Sequence, residues 1–138
     1  MLSQRNFDVV SKAREYIGTP AVHQGRVKGV GIDCVGLIVC VGRECGALIT
    51  EAIPCYKRII RNRIVEKLLA EQFDVCNILT PGSVVVLGNP VKMIGHHLGV
   101  YTGPTIIHAS GAAKHIVETV FESPLKEKFI SAWSYRWL

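Results

Sequence analysis

The chain has 138 residues, which suits one compact domain spanning 1–138 and leaves no length for a catalytic domain plus a second module. Apolar residues make up 49% and charged residues 20%, so the chain can bury a core and wholesale disorder is excluded. Sixteen Lys and Arg against eleven Asp and Glu give +5 with neutral His, which favours polyanionic partners such as nucleic acid, anionic lipid or acidic wall polymer without choosing among them.

Further classes fall away on motifs. The longest apolar run, Cys34 to Gly42, is too short to cross a membrane, and no membrane insertion is expected. The opening MLSQRNFDVV has no apolar core after its basic residue, so the expectation is no secretory signal and synthesis in a reducing cytoplasm. The cysteines at 34, 40, 45, 55 and 76 are odd in number and contain no C-x-x-C pair. Neither a disulfide scaffold nor a zinc site is expected, and no other metal or cofactor. No basic stripe interleaved with aromatics is present, so a nucleic-acid partner is not expected.

In chain order, Phe7, Val10, Ala13 and Ile17 fall near helical spacing and predict a helix over Asn6–Ile17, with Asn6 as its cap. Gly18 and Pro20 end it. A glycine-rich loop follows over Thr19–Gly31. A second helix starts at Asp33 or Cys34 and runs to about Cys45, apolar nearly all round and therefore central, with Asp33 in capping position. Ile60, Ile64 and Leu68 predict a third helix from Lys57 to Glu71, its other face carrying Arg58, Arg61, Arg63 and Lys67. Beyond Pro81 the pattern turns to short β-branched strands: Val84–Leu87, His97–Thr102, Thr105–Ala109, His115–Val120 and Ile130–Trp133. Helices first and antiparallel strands after make an α+β fold.

Cys34 draws attention first. It stands in GIDCVGLI, after the glycine-rich loop and at a helix start. Backbone N–H groups and the helix dipole there are expected to lower a thiol pKa and to stabilise an oxyanion. The plainer reading is a buried cysteine that packs as a small hydrophobe. A nucleophilic thiol needs a base, and the candidates are His23, His96, His97, His108 and His115. Alternation in HLGVY puts His97, Gly99 and Tyr101 on one face. His108 lies on the next strand, where two imidazoles can stand side by side, one as base and one orienting it. The alternative is a set of ordinary polar residues on a half-exposed sheet.

The series GIDCVGLI, PGSVVVL, HLGVYTG and IIHAS resembles, in order and spacing, the NlpC-type cysteine peptidases, a papain-like superfamily that cleaves peptidoglycan stem peptides. The likeness extends from about Phe7 to Gly111. It is closer still to a phage subgroup through Arg14–Pro20 (REYIGTP) and His23–Arg26 (HQGR). The resemblance implies a papain-like fold, with the nucleophile at a helix start packed on a C-terminal antiparallel sheet. It implies Cys34 as nucleophile, His97 rather than His96 as general base, and His108 in the orienting position. Asp33, His23, Arg26 and Tyr101 are the candidate substrate contacts, with Lys28 beside Arg26 in a basic loop. For Tyr101, packing on the sheet is the plainer role. The expected setting is a phage or prophage tail that opens the wall locally, with the stem peptide and tail-tip or hub proteins as partners. The virion tail is then the location of a chain made in the host cytoplasm.

The sequence also departs from the family pattern. Ala21 stands where many members carry a Tyr before the nucleophile, Val35 replaces the Ser after it, and Ser83 replaces the Asp of Pro-Gly-Asp. Two alternatives accompany the leading reading: a structural tail or assembly protein with little turnover, and an amidase or acyltransferase on another amide. Trp133 and Trp137 are expected to close one end of the core or to meet a partner.

Overall fold

A doubled cap starts the first helix. In the computed structural model, which describes residues 3–49, 53, 56–57 and 60–138, α1 (Gln4–Arg14) opens at Ser3. The Ser3 side chain accepts from the Asn6 N–H at 3.3 Å, and the Asn6 side chain accepts from the Ser3 N–H at 3.0 Å. Asn6 is therefore the third helical residue and not the cap the sequence suggested. The helix also ends before the predicted Ile17. The chain is drawn onto a sheet edge there: Gly18 N–H donates to Ile116 O, and Ile116 N–H donates to Thr19 O, both at 2.9 Å.

The stretch read as a plain loop contains a short antiparallel ribbon, β1 (Arg26–Val27) and β2 (Gly31–Ile32). It leads directly into α2 (Cys34–Glu44). Gly36, Leu37, Ile38, Val39, Val41 and Gly42 are all buried, which makes α2 the central helix, as its apolar sequence predicts. Gly36 has to be bare, because a Cβ there would overlap the carbonyl oxygen of Gly25.

The third helix, α3, covers Ile64–Gln72 and starts later than predicted. Of the predicted first turn, Arg58 and residue 59 lie outside the described residues, and 60–63 are not helical. Asn62 Oδ1 accepts from the Ile64 N–H at 3.1 Å and sets the start. The strand β3 (Phe73–Cys76) follows without a break, so no turn residue signals it in the sequence.

The remaining strands are β4 (Val84–Asn89), β5 (Ile94–Tyr101), β6 (Thr105–Ser110), β7 (His115–Val120) and β8 (Phe129–Tyr135). They pair antiparallel in the order β3-β8-β4-β5-β6-β7. One face of this sheet packs on the helices through Val84, Val86, Leu98, Val100 and Ile107. Its other face carries a smaller cluster of Val85, Leu87 and Ile106 with Tyr101, Phe121 and Phe129. Trp133 and Trp137 lie at the margin of the main core. The architecture is α+β, with Cys34 opening the helix at its centre. No helix among the described residues is long and apolar enough to cross a membrane.

The packing makes a direct prediction. Leu37 is 0% exposed, and Leu37→Ala is expected to cost about 2–5 kcal/mol in urea unfolding. Ile17→Ala, at 44% exposure, is expected to stay within about 0.5 kcal/mol of wild type. Equal losses at the two sites would contradict this placement of the core.

Candidate active site

The loop before α2 is tied to its cap. Asp33 Oδ1 accepts from the Gly36 N–H at 2.8 Å and from Arg26 Nη1 at 3.0 Å. Its Oδ2 accepts from the Gln24 N–H at 2.7 Å and from the Tyr56 hydroxyl. Arg26 also donates to the Tyr56 hydroxyl at 3.0 Å. The Asp33 carboxylate thus has all its acceptor positions in use, and Arg26 is held beside it.

Cys34 is the first helical residue and half-buried. The backbone amides of Leu98, on the neighbouring strand, of Val35 and of Cys34 itself lie near its sulfur. These amides favour the thiolate, but burial dominates and pushes the thiol up to about 11, with the Asp33 charge adding to the rise. The sequence-based expectation of a lowered thiol pKa is therefore corrected. Partial burial of the sulfur disfavours its charge more than the helix start favours it.

Neighbouring strands bring the two histidines together, with Gly99 of β5 opposite His108 of β6. His97 Nε2 lies 2.7 Å from His108 Nδ1, and His108 Nε2 lies 3.0 Å from Thr119 Oγ1 on β7. A neutral pair has one consistent arrangement for a base facing outward through Nδ1. His97 Nε2–H donates to His108, His108 Nε2–H donates to Thr119, and the lone pair of His97 Nδ1 stays open. Burial pushes His97 down to about 3, with His108, His96 and Lys128 contributing repulsion. His108 is lowered by burial as well. At neutral pH the resting site holds an uncharged thiol and two uncharged imidazoles.

A cleft of about 510 Å³ exposes this set. Cys34, His97 and His108 line it together with His23, Tyr56, Lys57 and Lys128. His96 also reaches the cleft but is exposed, and it is His97 that bonds His108. Other residues singled out in the sequence lie elsewhere. Lys28 pairs with Glu15 at 3.0 Å and stands over the Tyr16 ring. Tyr101 packs edge-on against Phe121 in the smaller cluster and does not line the cleft. His115 sits at the outer edge of β7, bridged to Pro20. Cys40 and Cys45 pack against the main core, and Cys55 lies outside the described residues. Among the described residues no group of His, Cys, Asp and Glu is arranged to hold a metal ion.

Two participants escaped the sequence reading. Thr119 could have been found by register, since Ile106 pairs with Thr119 and puts it on the His108 face. Tyr56 had no local signal. It is held through its main chain too, its carbonyl bonded to His23 Nε2 and Gln24 Nε2 at 3.0 Å each. A phenol therefore reaches the site from a segment remote from Ala21, where the resemblance would place one.

No protein-family model matches the chain, and no curated protein matches it. Solved structures do. The NlpC/p60 domain of the peptidoglycan hydrolase SagA is 21% identical with a TM-score of 0.64, over 94% of this chain and 97% of that one. An NlpC/P60 family protein from Bacillus cereus ATCC 10987 is 19% identical with a TM-score of 0.72, over 94% of this chain and 40% of that one. NlpC2 from Trichomonas vaginalis is 17% identical with a TM-score of 0.70, over 98% of this chain and 48% of that one. This chain thus spans under half of the latter two. At these identities the likeness establishes the fold: the chain has the papain-like architecture of NlpC/p60 domains.

Two expectations follow from the electrostatics. The unfolded chain protonates a histidine near pH 6.5, whereas folded His97 resists protonation to about pH 3. Stability is therefore full above about pH 6.5 and falls steadily as pH drops through that window. Urea midpoints measured from pH 7 to 4 should fall less steeply for His97→Gln, and identical slopes would contradict the assignment. Tyr56→Phe removes a hydroxyl from a charged pair and is expected to cost about 1–3 kcal/mol in the same assay. No loss would mean that the hydroxyl bonds solvent instead.

Proposed function

We propose that the chain is a cysteine peptidase that hydrolyses peptidoglycan stem peptides. The observation that carries the reading is the open cleft lined both by Cys34, at a helix start, and by the first two members of a His97–His108–Thr119 hydrogen-bond chain with one ring nitrogen unengaged. The resting pair is neutral, so the sulfur loses its proton as it attacks. Cys34 Sγ bonds to the amide carbonyl carbon while His97 Nδ1 takes the thiol proton. The helix-start N–H groups stabilise the oxyanion. Collapse breaks the C–N bond, the leaving amine takes the proton from His97, and a thioester remains on Cys34. Water then attacks the thioester with His97 accepting its proton. The C–S bond breaks, the acid product leaves, and the proton returns to sulfur. His108 and Thr119 hold the His97 ring in its working tautomer throughout.

The walls of the cleft support an acidic acyl donor. Arg26 offsets the Asp33 charge, while Lys57 and Lys128 face the cleft from different segments. Stem peptides carry carboxylates that suit such walls. The peptidoglycan hydrolase among the similar structures supports the same substrate. The REYIGTP and HQGR stretches support a finer reading: a phage or prophage tail peptidase, made in the host cytoplasm, docked on tail-tip or hub proteins, and opening the wall locally.

Purified peptidoglycan of several wall types, digested and read by mass spectrometry, tests the proposal. New stem-peptide fragments are expected with wild type and none with Cys34→Ala. His97→Ala should lower the rate by about 10²–10⁴-fold, while His96→Ala stays close to wild type. A folded wild type that releases no fragment from any wall would overturn the reading. A dead His96→Ala beside an active His97→Ala would overturn the choice of base.

A further inference from the structure

The strand that carries His97 is irregular one residue before it. Leu87 pairs with His97, but Gly88 pairs with Gly95, which leaves His96 as an extra residue without a partner. This is a β-bulge, and it sets which of two adjacent histidines reaches His108. The bulge is anchored from outside the sheet. The Gly95 N–H donates to Glu66 Oε1 of α3 at 2.5 Å. Gly95 is bare where the carboxylate arrives: a Cβ there would lie 2.7 Å from Glu66 Oε1 and would overlap Val86. At Gly88, opposite, a Cβ would overlap the carbonyl oxygen of Ile94.

Glu66 is a costly residue to place here. It is only 7% exposed, and its Oε2 has no hydrogen-bond partner among the described residues. A buried carboxyl with a single bond to protein is worse for stability than a well-packed apolar side chain of the same size. Stability therefore does not account for it, whereas location does. A slip of one residue in β5 would exchange His97 for His96. It would also shift the Leu98 N–H away from the Cys34 sulfur.

We infer that Glu66 is a positioning residue for His97: its bond to the Gly95 N–H fixes the bulge at His96 and so the register of β5 at the nucleophile. The role rests on the proposed reading in that His97 is the base. The bulge and its anchor can be measured without any substrate.

The test compares Glu66→Met, which fills the space without an acceptor, with Glu66→Gln, which keeps one. Three readouts are taken on the whole chain: urea midpoint, NMR of the His97 and His108 imidazole nitrogens, and kcat and KM on peptidoglycan fragments. Glu66→Met is expected to fold at least as stably as Glu66→Gln. It should lose the His97–His108 nitrogen signature and drop kcat by about tenfold or more with KM little changed. Glu66→Gln should restore both. A Met variant with wild-type imidazole signals would overturn the inference, as would one that unfolds while Gln folds, because either outcome leaves Glu66 with packing alone. Should wild type cleave no peptidoglycan, the catalytic reading fails by itself, and the imidazole signals still decide whether Glu66 sets the register.

Discussion

Everything at the site depends on one contact, the start of α2 driven against β5. That contact puts Cys34 beside Leu98 and leaves it half-buried at the cleft wall. The helix start should favour a thiolate, but desolvation outweighs it, and the thiol is raised rather than lowered. The same burial strips His97 of its tendency to protonate. The site therefore stores its proton on sulfur and keeps an unengaged lone pair on the imidazole. On the proposed reading, proton transfer then belongs to the attack and does not precede it.

Geometry then replaces charge as the means of preparation. Asp33 binds the loop, the cap and Tyr56 into one unit through Gln24, Gly36 and Arg26. On the sheet side, Thr119 and His108 give the His97 ring one working tautomer. Between these two halves, the bulge at His96 and its anchor at Glu66 set the strand register. Each half is thus held by hydrogen bonds between neutral or already paired groups. With no ion pair to draw the sulfur and imidazole together, position has to be built in.

Much of this was legible in the sequence. The apolar run after Asp33 predicted the central helix, and alternation in HLGVY put His97 on the face where it meets His108. The rest turned on non-local contacts. Ile17 fits the helical period, yet the chain leaves the helix early because Gly18 and Thr19 bond to Ile116. Asn62 starts α3 later than its apolar spacing implies. Arg26 looked free to meet a substrate carboxylate, but the fold hands it Asp33 and Tyr56. Tyr101 shares the His97 face and still turns to Phe121, because that face continues into a second cluster. The thiol pKa was misread for a related reason: helix position is written in the sequence and depth of burial is not.

The most direct test of this account is the alkylation rate of Cys34 as a function of pH in the native protein, followed by mass on the Cys34 peptide. A neutral resting pair predicts a rate that keeps rising beyond the ordinary free-thiol value of about 8.5, towards the raised value of about 11. A rate already at its plateau below pH 7 would mark a preformed thiolate–imidazolium pair and contradict the account.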